Sequence, residues 1–166
     1  MESESHSRLT VNGQQSVRLG TRRRGSMANL EENRRVLVVD DEKSVSDSLT
    51  AIFRNHGYQA RAAYSAEEAI DVIAEWRPNF ALLDVKLPNM NGIDLAIALK
   101  ASDPNCRILL FSGYPDANDL LNAAKQAGHV FEVMAKPVHP IVLLNAVAHS
   151  LSGTPDQPPT PLPEMN

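Results

Sequence analysis

The chain has 166 residues, 43% of them hydrophobic and 22% charged, with a formal net charge of −4. That is enough apolar material for the core of one ordinary domain, while no stretch approaches the roughly 20 apolar residues that a membrane-spanning helix needs. The lone cysteine, Cys106, excludes an intrachain disulfide and suits a reducing cytoplasm, and the start Met1-Glu2-Ser3-Glu4-Ser5 lacks the basic and apolar segments of a secretory signal.

Residues 1–33 are rich in Ser, Gly, Asn and Arg without apolar periodicity, and read as a disordered leader. Residues 1–29 hold five arginines and two glutamates, a net of +3, against eleven Lys/Arg and eighteen Asp/Glu in the rest, a net of −7. The triplet Arg22-Arg23-Arg24 fits a solvated leader better than a nucleic-acid footprint, because the remainder is acidic. Translation can start at Met1 or at Met27.

From residue 34 to 152 strand and helix signals alternate. Arg35–Val39 reads as a first strand with the unbroken apolar run Val36-Leu37-Val38-Val39, the pattern of a strand buried on both faces of a parallel sheet. A helix over Ser44–His56 carries Val45, Leu49, Ile52 and Phe53 on one face, and Gly57 ends it. A second strand covers Gln59–Ala63. Ser65-Ala66-Glu67-Glu68 opens a second helix with a capping-box pattern, which runs to Trp76 before Pro78. Phe80–Leu83 is a third strand with a second unbroken apolar run. A third helix begins near Gly92, with Ile93, Ala96 and Leu99 on one face. Arg107–Phe111 is a fourth strand, preceded by Cys106, which reads as a small packed side chain, and Ala117–Gly128 is a fourth helix. Phe131–Ala135 is a fifth strand and Pro140–Leu151 a fifth helix, with proline in its first turn. Residues 153–166 hold five prolines and read as an extended Pro-rich tail. Five βα units with short connections imply an α/β fold, a doubly wound five-stranded parallel sheet with helices on both faces.

In such a sheet the C-terminal strand ends share one edge, where ligands bind. That edge collects Asp40 and Asp41 after the first strand, Asp84 after the third, Ser112 after the fourth and Lys136 after the fifth. Three carboxylates in one place repel one another unless a hard cation such as Mg²⁺ offsets them. Asp84 can then attack phosphorus and form an acyl phosphate. Ser112 can donate to a phosphoryl oxygen and Lys136 can pair with another, with Gly113 leaving room beside them. The set suits phosphoryl transfer.

Four stretches in this order resemble the response-regulator receiver domain, the CheY-like family of two-component signalling: Val38-Val39-Asp40-Asp41-Glu42, Leu82-Leu83-Asp84-Val85-Lys86-Leu87-Pro88-Asn89-Met90-Asn91-Gly92, Leu109-Leu110-Phe111-Ser112-Gly113 and Ala135-Lys136-Pro137. The resemblance implies a flavodoxin-like strand order 2-1-3-4-5, and a phosphoryl group accepted on Asp84 from a histidine kinase. It implies Mg²⁺ held by Asp41, Asp40, Asp84 and the backbone carbonyl of Lys86. It makes Ser112 the switch hydroxyl, Lys136 the family's lysine and Lys136–Pro137 a cis bond. Members often carry an aromatic residue where this chain has Val133, with Phe131 on the same face and Tyr114 as the other aromatic nearby; Lys86 and Tyr114 hold positions that influence phosphoryl lifetime.

The expected output is a changed surface read by another protein, since no stretch beyond the fifth helix reads as a DNA-binding or catalytic effector. This makes the chain a stand-alone, cytoplasmic phosphoprotein that binds neither DNA nor membrane. Its alternatives are a phosphorelay shuttle or phosphate sink that passes phosphate to a histidine phosphotransfer protein, and a Mg²⁺-dependent phosphohydrolase working through an aspartyl phosphate. The hydrolase is disfavoured because Lys86 stands where such enzymes place a second aspartate. Receivers often pair through helix four, strand five and helix five, so monomer and homodimer both stay open. The five histidines read as structural or exposed.

Overall fold

The computed structural model describes residues 34–113 and 117–152. The expected leader, the Pro-rich tail, His6 and Tyr114 lie outside the described residues. The elements are β1 Arg35–Val39, α1 Lys43–Asn55, β2 Gln59–Ala63, α2 Ala66–Trp76, β3 Phe80–Asp84, α3 Gly92–Ser102, β4 Arg107–Ser112, α4 Ala117–Gln126, β5 Glu132–Ala135 and α5 Pro140–Leu151. Four parallel pairings give the sheet order β2-β1-β3-β4-β5, the expected topology.

The two apolar runs form the centre. Val36 to Val39 and Phe80 to Leu83 are almost wholly buried, because helices cover both faces of the sheet. Alternate residues serve opposite layers. Leu37, Val39, Ala81 and Leu83 pack with Ala69, Leu95 and Leu99 under α2, α3 and α4. Val36, Val38, Phe80 and Leu82 pack with Phe53, Leu143 and Val147 under α1 and α5. Phe53 and Tyr58 meet edge to face, with ring centroids 5.7 Å apart, a favoured aromatic arrangement.

Local signals work largely as the sequence implies. Gly57, at φ 84°, turns the chain out of α1. The Ser65 side chain caps α2 by accepting from the Glu68 amide, and the Glu68 carboxylate accepts from the Tyr64 amide rather than from that of Ser65, so the reciprocal bond of the box lands one residue early. Asn91 caps α3, its Oδ1 accepting from the amides of Ile93 and Asp94. His139 caps α5 through its ring, and His56 Nδ1 bonds to the Ile52 carbonyl oxygen; both roles are structural, as expected.

Several boundaries differ from the sequence reading. β3 extends through Asp84 and β4 through Ser112, because the ladder continues as Asp84 to Phe111 and Ser112 to Ala135. α4 stops at Gln126, two residues before Gly128 at φ 91°. β5 begins at Glu132, since only Glu132 onward finds partners on β4; Phe131 instead packs on the α2–α4 side and stacks on His129.

Candidate functional site

The parallel order puts the ends of β1, β3, β4 and β5 beside one another, and the expected residues converge there. Asp40 follows β1, and its amide donates to Ala63 at the end of β2. Its side chain is buried, and Oδ1 accepts from the Glu42 amide at 2.9 Å. Asp84 ends β3, with Oδ1 accepting from the Lys86 amide at 3.1 Å. Asp41 is exposed. One carboxylate oxygen from each of Asp40, Asp41 and Asp84 lies within 4.8 Å of the others.

Lys136 enters from the opposite end of the sequence. Its Nζ lies 2.8 Å from Asp40 Oδ2 and 3.0 Å from Asp84 Oδ2, and 4.3 Å from the centroid of the Phe111 ring, within cation–π range. Its backbone is fixed too: the Lys136 amide donates to the Ser112 carbonyl at 2.8 Å, and the Lys136–Pro137 peptide is cis. Ser112 is buried at the end of β4. A methyl group at Gly113 would meet the Lys136 side chain only at ordinary contact distance, 3.8 Å or more.

The electrostatics follow from this packing. Burial pushes the Asp84 carboxyl above the usual aspartate value, more than the hydrogen bonds and charge of Lys136 and the Lys86 amide pull it down; the charge of Asp40 adds to the rise. Burial acts to lower Lys136, but its hydrogen bonds to Asp40 and Asp84 and their charges outweigh that, so the ammonium is held above its ordinary value. A cationic lysine thus bridges two aspartates, while Asp41 faces solvent beside them.

The donor set fits a hard divalent cation. All three side chains offer oxygen, the type that Mg²⁺ prefers, and two are held in place by backbone amides. The acidic cluster could therefore hold a metal.

The sequence reading missed the part that three residues play in the site's frame. Gly92 sits against the Asp84 backbone, and a Cβ there would fall 1.9 Å from the Asp84 carbonyl oxygen. Ser46, buried in α1, donates to the Val38 carbonyl at 3.2 Å and ties α1 to the strand end. Phe111 floors Lys136. The Asn-Gly pair at Asn91-Gly92 was the only available signal for the first; periodicity carries none for the others. Val133 is 40% exposed. It pairs with Leu110, which packs with Phe131, so Val133 and Phe131 do share a face.

Comparison with known proteins agrees with this geometry. The family model described as "Response regulator receiver domain" matches residues 36–148. The chain belongs to the response-regulator receiver family. It is 32% identical over 105 residues to the sporulation initiation phosphotransferase F of Bacillus subtilis (strain 168), covering 63% of this chain and 83% of that protein. It is also 32% identical over 124 residues to the DNA-binding response regulator MtrA of Mycolicibacterium smegmatis, covering 75% of this chain and 53% of that one, so the receiver spans about half the length of that relative. The CheY-like receiver domain protein of Methanospirillum hungatei JF-1 superposes with a TM-score of 0.65 at 30% identity, covering 72% of this chain and 94% of that chain. Receivers are signalling modules of two-component systems, and the carboxylates above form this receiver's acidic pocket. No helix among the described residues is long and apolar enough to cross a membrane.

Proposed function

We propose that this receiver accepts a phosphoryl group on Asp84 from the phosphohistidine of a histidine kinase, and that another protein reads the phosphorylated state. The observation that carries the reading is the meeting of Asp84 with Lys136 and with the carboxylates of Asp40 and Asp41 at one strand edge. An Asp84 carboxylate oxygen attacks phosphorus, a P–O bond forms as the P–N bond breaks, and the imidazole nitrogen leaves with a proton. Asp40, Asp41, Asp84 and the Lys86 carbonyl would hold Mg²⁺, which when bound offsets charge on the transferring group. Lys136 exchanges its bond to Asp84 for one to a phosphoryl oxygen, and the Ser112 hydroxyl donates to another. Both moves pull the ends of β4 and β5 toward the site, which shifts a two-state equilibrium of the α4–β5–α5 surface. That surface exposes Leu120, Val130, Val133, Ile141 and Val142, apolar side chains suited to a protein partner or a second copy. The reading places the receiver in the cytoplasm, acting through protein contacts of this surface.

Acetyl phosphate or phosphoramidate with Mg²⁺, followed by intact mass, tests it. The expected result is one added phosphoryl group on the wild type and none on Asp84→Asn; an equal adduct on both, or none on either, would refute it. A relay variant, in which phosphate passes on to a histidine phosphotransfer protein, draws support from the Bacillus relative, named a phosphotransferase. Rapid loss of the label to an added histidine phosphotransfer domain selects that variant. A phosphohydrolase finds no support at position 86, where a lysine stands in place of a second carboxylate.

A further inference from the structure

A second recess, about 480 Å³, opens between α1 and the free edge of β2, lined by Asp47, Thr50, Arg54, Arg61, Ala62 and Tyr64. Its size falls in the range of small-molecule sites. β2 ends the sheet, so one of its sides has no strand partner. The Gln59 amide and the Ala63 carbonyl bond toward β1; by the alternation of a parallel strand, the backbones of Ala60 and Ala62 point outward. Arg54 Nε takes the Ala60 carbonyl at 2.9 Å, and no backbone partner on that side meets the Ala62 amide among the described residues.

Donors dominate the walls. Thr50 is 3% exposed, and its hydroxyl oxygen is buried with no hydrogen-bond partner among the described residues, which is costly unless something fills the recess. Arg54 arrives from the α1 side. Arg61 lies on the α2 side, its guanidinium 4.8 Å from the centroid of the Trp76 ring, and neither arginine forms an ion pair among the described residues. The recess has one carboxylate, Asp47, and its Oδ1 already accepts from the Tyr64 hydroxyl at 2.7 Å.

We propose that this recess binds a small phosphorylated compound, its phosphate held by Arg54, Arg61 and the Ala62 amide, with the Thr50 hydroxyl, buried beneath the wall, turning to join them. Arginine forks match phosphate oxygens. Donors arriving from both faces of a sheet edge suit a tetrahedral group better than a flat carboxylate, and the remaining volume admits an organic portion. The site is separate from the acidic pocket, whose three carboxylates repel an anion.

The test uses the full chain without Mg²⁺, titrated with inorganic phosphate, adenosine 5′-monophosphate and acetate while NMR follows the Thr50 and Ala62 amides and the arginine Nε signals. Saturable shifts with either phosphate probe are expected. They should weaken at least about tenfold in Thr50→Val and in Arg54→Gln/Arg61→Gln, and persist in Asp84→Asn. Circular dichroism melts show which variants fold, and the near-isosteric Thr50→Val keeps the test valid if the double variant does not. No saturable shift with either phosphate probe, acetate binding as tightly as phosphate, or full binding by Thr50→Val, the result for a recess that holds only water, would overturn the proposal.

Discussion

A Cβ added to Gly92 would lie 1.9 Å from the carbonyl oxygen of Asp84 and 2.8 Å from its carbonyl carbon. Both are backbone atoms of the strand end that carries Asp84, the proposed phosphoacceptor, so neither can swing aside. Gly92→Ala must push β3 and the start of α3 apart. We expect a loss of about 2–3 kcal/mol of stability, in the range of overpacked cores, together with impaired phosphorylation. Chemical denaturation and intact mass after phosphoramidate treatment measure both; a variant as stable and as reactive as wild type would contradict the geometry.

Asp41 stands apart from its two neighbours, because it is the exposed carboxylate of the cluster. Asp41→Ala should abolish Mg²⁺-dependent phosphorylation yet leave metal-free stability within about 0.5 kcal/mol, or raise it slightly as like-charge repulsion falls. Urea denaturation in the presence of a chelator checks this, and a large loss would mean that Asp41 holds the fold together.

Lys136→Met removes the shared counter-ion of Asp40 and Asp84. Its side chain is 26% exposed, so we expect a loss of about 1–3 kcal/mol rather than the full cost of a buried broken pair. The loss has a pH sign. Asp84 is already raised from the usual aspartate value by burial and rises further without the lysine. A carboxyl raised in the folded state contributes stability that is fully present below its unfolded value and lost as pH rises through its folded value. The variant should therefore suffer less near about pH 4 than near about pH 7, and equal losses at both would count against the ion pair.

Cys106 is buried, and its thiol is pushed up to about 12 by burial first and then by the charge of Asp103, with Lys100 opposing. A thiol reagent should leave the native chain untouched and label it in denaturant. Stability from this group is complete below the thiol's ordinary value of 9.0 and falls as pH climbs toward the folded value; Lys136, also raised, acts in the same direction at higher pH. A thiol labelled at once in the native chain near neutral pH would show that the packing is wrong.

Much of this was legible in the residues. Two unbroken apolar runs ending in aspartate announced central strands, because only burial on both faces tolerates such sequences, and the shared edge followed from the topology. Helix ends were read through Gly57, Ser65 and Pro140, where backbone chemistry is local. The rest depends on tertiary placement. Apolar periodicity put Val45 and Leu49 on the core face of α1, but it could not tell that Ser46 and Thr50 are buried beside them, since polar side chains there look like solvated ones. Nor could it place Phe111 under the Lys136 ammonium, a contact between β4 and the residue that follows β5. β5 was drawn one residue too long because Phe131 has strand propensity, and only the ladder decides where pairing starts.

The lysine that bridges the pocket comes 96 residues after one of its partners and 52 after the other. During synthesis both aspartates leave the ribosome well before the cation that balances them. The final βα unit therefore supplies both the last strand of the sheet and the cation that bridges the pocket, and a nascent chain stopped short of residue 136 holds its aspartates without that partner.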